Sequence, residues 1–210
     1  MMTNLFQARE NQVSVIGTAN RIRLLLVCCV LGVAASGISA APPANAKTSA
    51  PPAVGDEARD FELESIAGKT VKLSESSQDG PVVLVLLRGY PGYQCPLCTA
   101  QVAQFLSRSR EFREAKATVL LVYPGPANEL KKHAAEFSGD QKLPKNFQLL
   151  LDPDFEFTNA WRLRWSAPRE TAYPATFVID SEQKIRFAKI SKTHGDRASA
   201  DQVLEALKSL

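Results

Sequence analysis

Six consecutive aliphatic residues, Val82 to Leu87, are bounded by Pro81 and Gly89, the pattern of a strand buried on both faces. After them the period changes. From Pro96 to Arg113, Val102, Phe105, Leu106 and Phe112 recur at helical spacing among Gln101, Ser107, Arg108 and Arg110, which predicts one amphipathic helix. Val119 to Val122 repeats the buried-strand pattern, and Asn128 to Phe137 repeats the helical one through Leu130, Ala134 and Phe137. Gln148 to Leu151 is expected as a third short strand and Phe155 to Leu163 as a short helix.

The last part of the chain changes character. Thr176 to Asp180, the turn Ser181-Glu182-Gln183, and Lys184 to Ile190 predict an antiparallel hairpin with Ile185 and Phe187 on one face. Ser199 with Gln202 three residues on is a capping box, followed by the stripe Val203, Leu207 and Leu210. Strand-helix alternation, a hairpin and a closing helix together predict an α/β fold, a mixed sheet with helices on both faces.

The first residues do not fit that scheme. Arg21 and Arg23 precede the apolar run Leu24 to Val33, which fades into small residues and reaches Ala44-Asn45-Ala46. This is expected to be a secretory signal over 1–46, cleaved after Ala46, with Ile38-Ser39-Ala40 as a second choice and an uncleaved anchor as the alternative. The destination is then the periplasm or the cell exterior. Residues 47–54 are a Pro- and Ala-rich linker, and one domain is expected over 55–210.

Composition narrows the function. With 45% hydrophobic and 22% charged residues, the chain is neither disordered throughout nor a multi-span membrane protein. Beyond the signal, 22 basic residues face 21 acidic ones, so no nucleic-acid partner is expected.

Cys28 and Cys29 lie in the signal, which leaves Cys95 and Cys98 for the mature domain. A pair so closely spaced removes little entropy from an unfolded chain, so its role is chemical rather than structural. It stands where a buried strand ends and a helix begins. There, unpaired backbone N–H groups and the helix dipole favour a thiolate, and the second sulfur is within disulfide reach of the first. Pro96 suits the first helical turn. Pro174 follows Tyr173 at the start of a strand, where a cis bond is a candidate. The cysteines and this proline are the expected catalytic residues, with Cys95–Cys98 as the redox-active disulfide.

The block from about Gly55 to Ile190 resembles the thioredoxin-like superfamily, and within it the peroxiredoxin-like alkyl hydroperoxide reductase and thiol-specific antioxidant family. The resemblance rests on Asp60-Phe61-Glu62-Leu63 with Gly68-Lys69-Thr70-Val71, on the cysteine segment, on Leu151-Asp152-Pro153-Asp154, and on Pro174 to Asp180. It implies a thioredoxin-like fold and a thiol-dependent peroxidase, with an exported disulfide reductase as the alternative. It also implies peroxide or a protein disulfide as substrate, an external thiol as electron donor, and no bound cofactor or metal. Two registers are open. Peroxiredoxins carry P-x-x-x-T-x-x-C, where Pro91 and Cys98 match the ends, Cys95 takes the threonine place, and Cys98 attacks. Thioredoxins carry C-x-x-C with a cis-proline, and there Cys95 attacks.

Peroxiredoxins place an arginine where this chain has Pro174. Arg88 is the candidate charge stabiliser in its stead, with Arg162, Arg164 and Arg169 as further sources. Tyr90, Tyr93, Trp161 and Trp165 are candidate walls. A copper-binding chaperone is the non-enzymatic alternative, with His133 or His194 joining the two cysteines.

Overall fold

The computed structural model describes residues 50–210; the expected signal over 1–46 and the start of the linker lie outside them. The chain runs β1 (Glu62–Ser65), β2 (Thr70–Lys72), α1 (Leu73–Ser76), β3 (Val82–Leu86), α2 (Pro96–Ser107), α3 (Ser109–Glu114), β4 (Thr118–Gly125), α4 (Ala127–Ser138), β5 (Phe147–Pro153), α5 (Glu156–Ala160), β6 (Ala175–Ile179), β7 (Ile185–Ile190) and α6 (Ala200–Lys208). The strands form one sheet in the order β2-β1-β5-β4-β3-β6-β7. Its centre, β3-β4-β5, is parallel, while β6, β7, β1 and β2 join antiparallel. This is the expected mixed sheet.

The period of two along β3 builds both layers. Val83, Val85 and Leu87 point into a core shared with Val102, Phe105, Phe112, Leu130 and Val203 from the helices on one side. Val82, Leu84 and Leu86 point into the other, with Leu73, Phe157 and Trp161. Both layers exclude water from the strand, so its end is a rigid platform.

Three expectations are corrected. The single helix expected over Pro96–Arg113 is two, parted at Arg108, whose φ of −105° and ψ of 14° leave the helical region. The bend lets Phe105 and Phe112 stack at 5.3 Å. Ile185 and Phe187 do not share a face: a bulge in β7 opposite Val178 and Ile179 puts Ile185 in one core and Phe187 against the other. Leu210 is 52% exposed, beyond the end of α6. The capping box is present, with the Ser199 side chain accepting from the Gln202 N–H and the Gln202 side chain accepting from the Ser199 N–H. Such a cap is worth about 1 kcal/mol to the helix.

Candidate active site

The chain leaves β3 through a turn only glycine can make. Gly89 has φ +68°, and a Cβ there would stand 1.8 Å from the Pro124 carbonyl oxygen. The loop passes Pro91 and Gly92 and enters α2 with Cys95 at the N-cap in extended geometry and Pro96 as the first helical residue. Cys98 is one turn in. Both are free thiols, and each residue is only 2% exposed.

Their electrostatics are opposite. The Cys95 thiol is lowered from its ordinary value to about 4, chiefly because the Cys98 side chain hydrogen-bonds to it; burial opposes this, and the Cys98 N–H, Arg88 and Arg197 assist. The Cys98 thiol is raised, because that same hydrogen bond holds its proton and because it is buried. The arrangement favours the thiolate at Cys95 and the protonated thiol at Cys98.

Arg88 reaches both sulfurs. Its main-chain N–H donates to Cys98 Sγ at 3.3 Å, and its Nη1 lies 3.9 Å from Cys95 Sγ and 3.0 Å from the Tyr93 hydroxyl. Nη2 donates to a Glu170 carboxylate oxygen at 2.8 Å and to the Arg169 carbonyl at 3.2 Å. Glu170 in turn meets His194 Nε2 at 3.0 Å and 3.1 Å. From the other side Arg197 Nη2 comes within 3.9 Å of Cys95 Sγ, its Nη1 bonded to Gln101 Oε1 at 3.0 Å.

The other candidates disperse. Arg162 and Arg169 are exposed. Arg164 spends its guanidinium on the carbonyls of Trp165, Glu170 and Thr171 and on the face of Phe155. Trp161 is core, and Trp165 stacks on Tyr173 at 4.7 Å. Tyr90 stacks on His133, which also faces Glu129 and Glu136. Pro174 opens β6 beside the end of β3, but its peptide bond is trans. The cis expectation is thereby corrected: the Pro174 carbonyl is occupied by the Ser191 N–H and the Tyr173 N–H by the Leu163 carbonyl, so the trans chain is already tied into its neighbours.

Glu170, Gln101 and Arg197 were not among the sequence candidates. Each stands 82 or more positions from the residue it serves, and no spacing rule spans such a gap. Gln101 alone left a signal, a polar residue among the apolar positions of α2.

A family model for the AhpC/TSA family matches residues 54–188. The chain belongs to the AhpC/TSA family. A putative peroxiredoxin of Mycobacterium tuberculosis (strain CDC 1551 / Oshkosh), MT1643, is 30% identical over 156 residues, 74% of this chain and 96% of that protein. Peroxiredoxin Bcp of Bacillus subtilis (strain 168) is 30% identical over 162 residues, 75% of this chain and 94% of its own. Among solved structures, peroxidoxin BcpB from Mycobacterium tuberculosis matches with a TM-score of 0.60 at 27% identity, over 75% of this chain and 97% of that one. As an AhpC/TSA protein with peroxiredoxin relatives, the chain is a thiol-dependent oxidoreductase, and the peroxidase reading is favoured over the disulfide reductase.

Proposed function

We propose that this chain reduces peroxides with Cys95 as the nucleophile and Cys98 as the resolving thiol, Arg88 stabilising the sulfur charge. The observation that carries the reading is the placement of Cys95 at the N-cap of α2 with the Arg88 and Arg197 guanidiniums each 3.9 Å from its sulfur; the lowering of the Cys95 thiol runs in the same direction. A thiolate is the attacking species.

The steps balance. The Cys95 thiolate attacks the terminal oxygen of a hydroperoxide, the O–O bond breaks, and Cys95 becomes a sulfenic acid. The departing alkoxide takes the Cys98 proton and leaves as an alcohol. The Cys98 thiolate then attacks the Cys95 sulfur, forming the disulfide and releasing hydroxide, which solvent protonates. An external thiol donor restores the dithiol by exchange.

One equivalent of hydrogen peroxide added to the reduced mature chain should consume both thiols and give a Cys95–Cys98 disulfide in the peptide map. Unconsumed peroxide, or thiols left intact, would defeat the reading.

A second reading reverses the roles. The family spacing from Pro91 to Cys98, together with the Arg88 N–H on Cys98 Sγ, favours Cys98 as attacker and Cys95 as resolver. Single-cysteine variants separate the two.

A further inference from the structure

The two guanidiniums at Cys95 are not equivalent. Arg88 is buried, and its charge is committed to Glu170 in an ion pair of 2.8 Å. Arg197 is held by neutral groups and by the Cys95 sulfur itself. Its Nε donates to the His194 carbonyl at 2.8 Å, its Nη1 to Gln101 Oε1 at 3.0 Å, and its Nη2 lies 3.9 Å from Cys95 Sγ. Among the described residues no carboxylate forms an ion pair with it; the adjacent Asp196 is taken by Lys189 at 2.6 Å. Its positive charge is therefore available to whatever binds at the sulfur.

The support of that guanidinium is fixed in the fold. Gln101 is buried on α2, and its amide nitrogen donates to the Ala198 carbonyl at 3.1 Å and lies 3.5 Å from the Thr176 hydroxyl, so its oxygen is the atom turned to Arg197. The segment carrying Arg197 is tied at its start, where the Ser191 N–H donates to the Pro174 carbonyl at 2.8 Å and the Ser191 hydroxyl donates to the Asp196 carbonyl. A carboxylate in place of Gln101 would cancel the charge of the arginine and also give up the bond to the Ala198 carbonyl.

We propose that Arg197 is a second catalytic residue, contacting the Cys95 sulfur and the peroxide oxygens, and that Gln101 is the positioning residue that aims it without neutralising it. This rests on Cys95 being the nucleophile. As the O–O bond breaks, negative charge builds on the departing oxygen, and a fixed, uncompensated donor beside it lowers the barrier. The chemistry is that of an attached sulfenic acid and a departing alkoxide, with no further reactant.

The test compares the reduced wild-type chain with Arg197→Met, Arg197→Lys and Gln101→Glu. Two rates are read at Cys95, one with hydrogen peroxide and one with iodoacetamide, located by peptide mass. Iodoacetamide needs a thiolate but has no O–O bond. Arg197→Met should slow the peroxide reaction by about 100-fold, in the range for loss of one oxyanion donor, and leave the high-pH alkylation rate within about threefold. Arg197→Lys should recover part of the loss, and Gln101→Glu should fall in the same direction as Arg197→Met. Equal losses with both reagents, or none with either, would overturn the proposal. A wild-type chain inert to peroxide would instead defeat the peroxidase reading. In that case the pH profile of alkylation still decides the contact, since Arg197→Met should move the Cys95 inflection to higher pH and an unmoved inflection would exclude it.

Discussion

Arg88 and Glu170 form an ion pair 2.8 Å long in which 2% of the arginine side chain and 14% of the glutamate side chain remain exposed. Burial makes this pair costly to break from one side. Glu170→Ala leaves a buried guanidinium with only Tyr93 and the Arg169 carbonyl as close oxygen partners, and is expected to destabilise the domain by about 3 kcal/mol, at the low end for such a loss. Replacing both partners by apolar residues, Arg88→Met with Glu170→Leu, should recover most of it. Urea unfolding of the singles and the double checks this, and a double variant no more stable than Glu170→Ala would refute it.

Gly89→Ala is expected to be the most damaging single-methyl change near the site. The added carbon would lie 1.8 Å from the Pro124 carbonyl oxygen, at a φ of +68° that L side chains avoid. That oxygen is main chain rather than a flexible side-chain tip, so the loop to Cys95 must shift. A loss of about 3 kcal/mol or more is expected from strain of this kind, with reduced peroxide turnover even in the folded fraction. Thermal unfolding followed alongside activity measures both.

The acid limb of the reaction follows from the lowered Cys95 thiol. Thiolate absorbance near 240 nm should rise with a midpoint near the value of about 4, so the peroxide rate should be flat from weakly acidic to neutral pH and fall below that midpoint. The folded value lies below the unfolded one. The thiolate's contribution to stability is therefore fully present above the ordinary thiol range and is lost as pH falls through about 4. Cys98→Ala removes the largest cause of the lowering, so the Cys95 midpoint should move up yet stay below the ordinary thiol range through Arg88 and Arg197. An unchanged midpoint would contradict the assignment of the hydrogen bond.

We propose that the signal expected over 1–46 is cleaved on export, which leaves a directly measurable product. Expression with a working secretion pathway is expected to yield a mature chain beginning at Lys47, seen as an intact mass lacking residues 1–46. A chain retained at full length in the membrane fraction would favour the uncleaved anchor.

Much of the fold was legible in local pattern: the unbroken apolar run Val82 to Leu87 between Pro81 and Gly89 reads as a central strand, and Ser199 with Gln202 reads as a helix start. Where geometry is non-periodic the pattern misled, as at the Arg108 break in the long helix and the bulge that turns Phe187 away from Ile185. The cysteine pair and Arg88 were visible through local spacing to a strand end. Glu170, Gln101 and Arg197 were not, because only the fold brings the loop before β6, α2 and the loop after β7 together at the end of β3.

The central claim is that peroxide meets Cys95 first. Reduced Cys95→Ser and Cys98→Ser chains, each treated with one equivalent of hydrogen peroxide and a sulfenic-acid trap, answer it by mass measurement. Label is expected on Cys95 in the Cys98→Ser chain and none on the Cys95→Ser chain; label confined to Cys98 in the Cys95→Ser chain would make Cys98 the nucleophile instead.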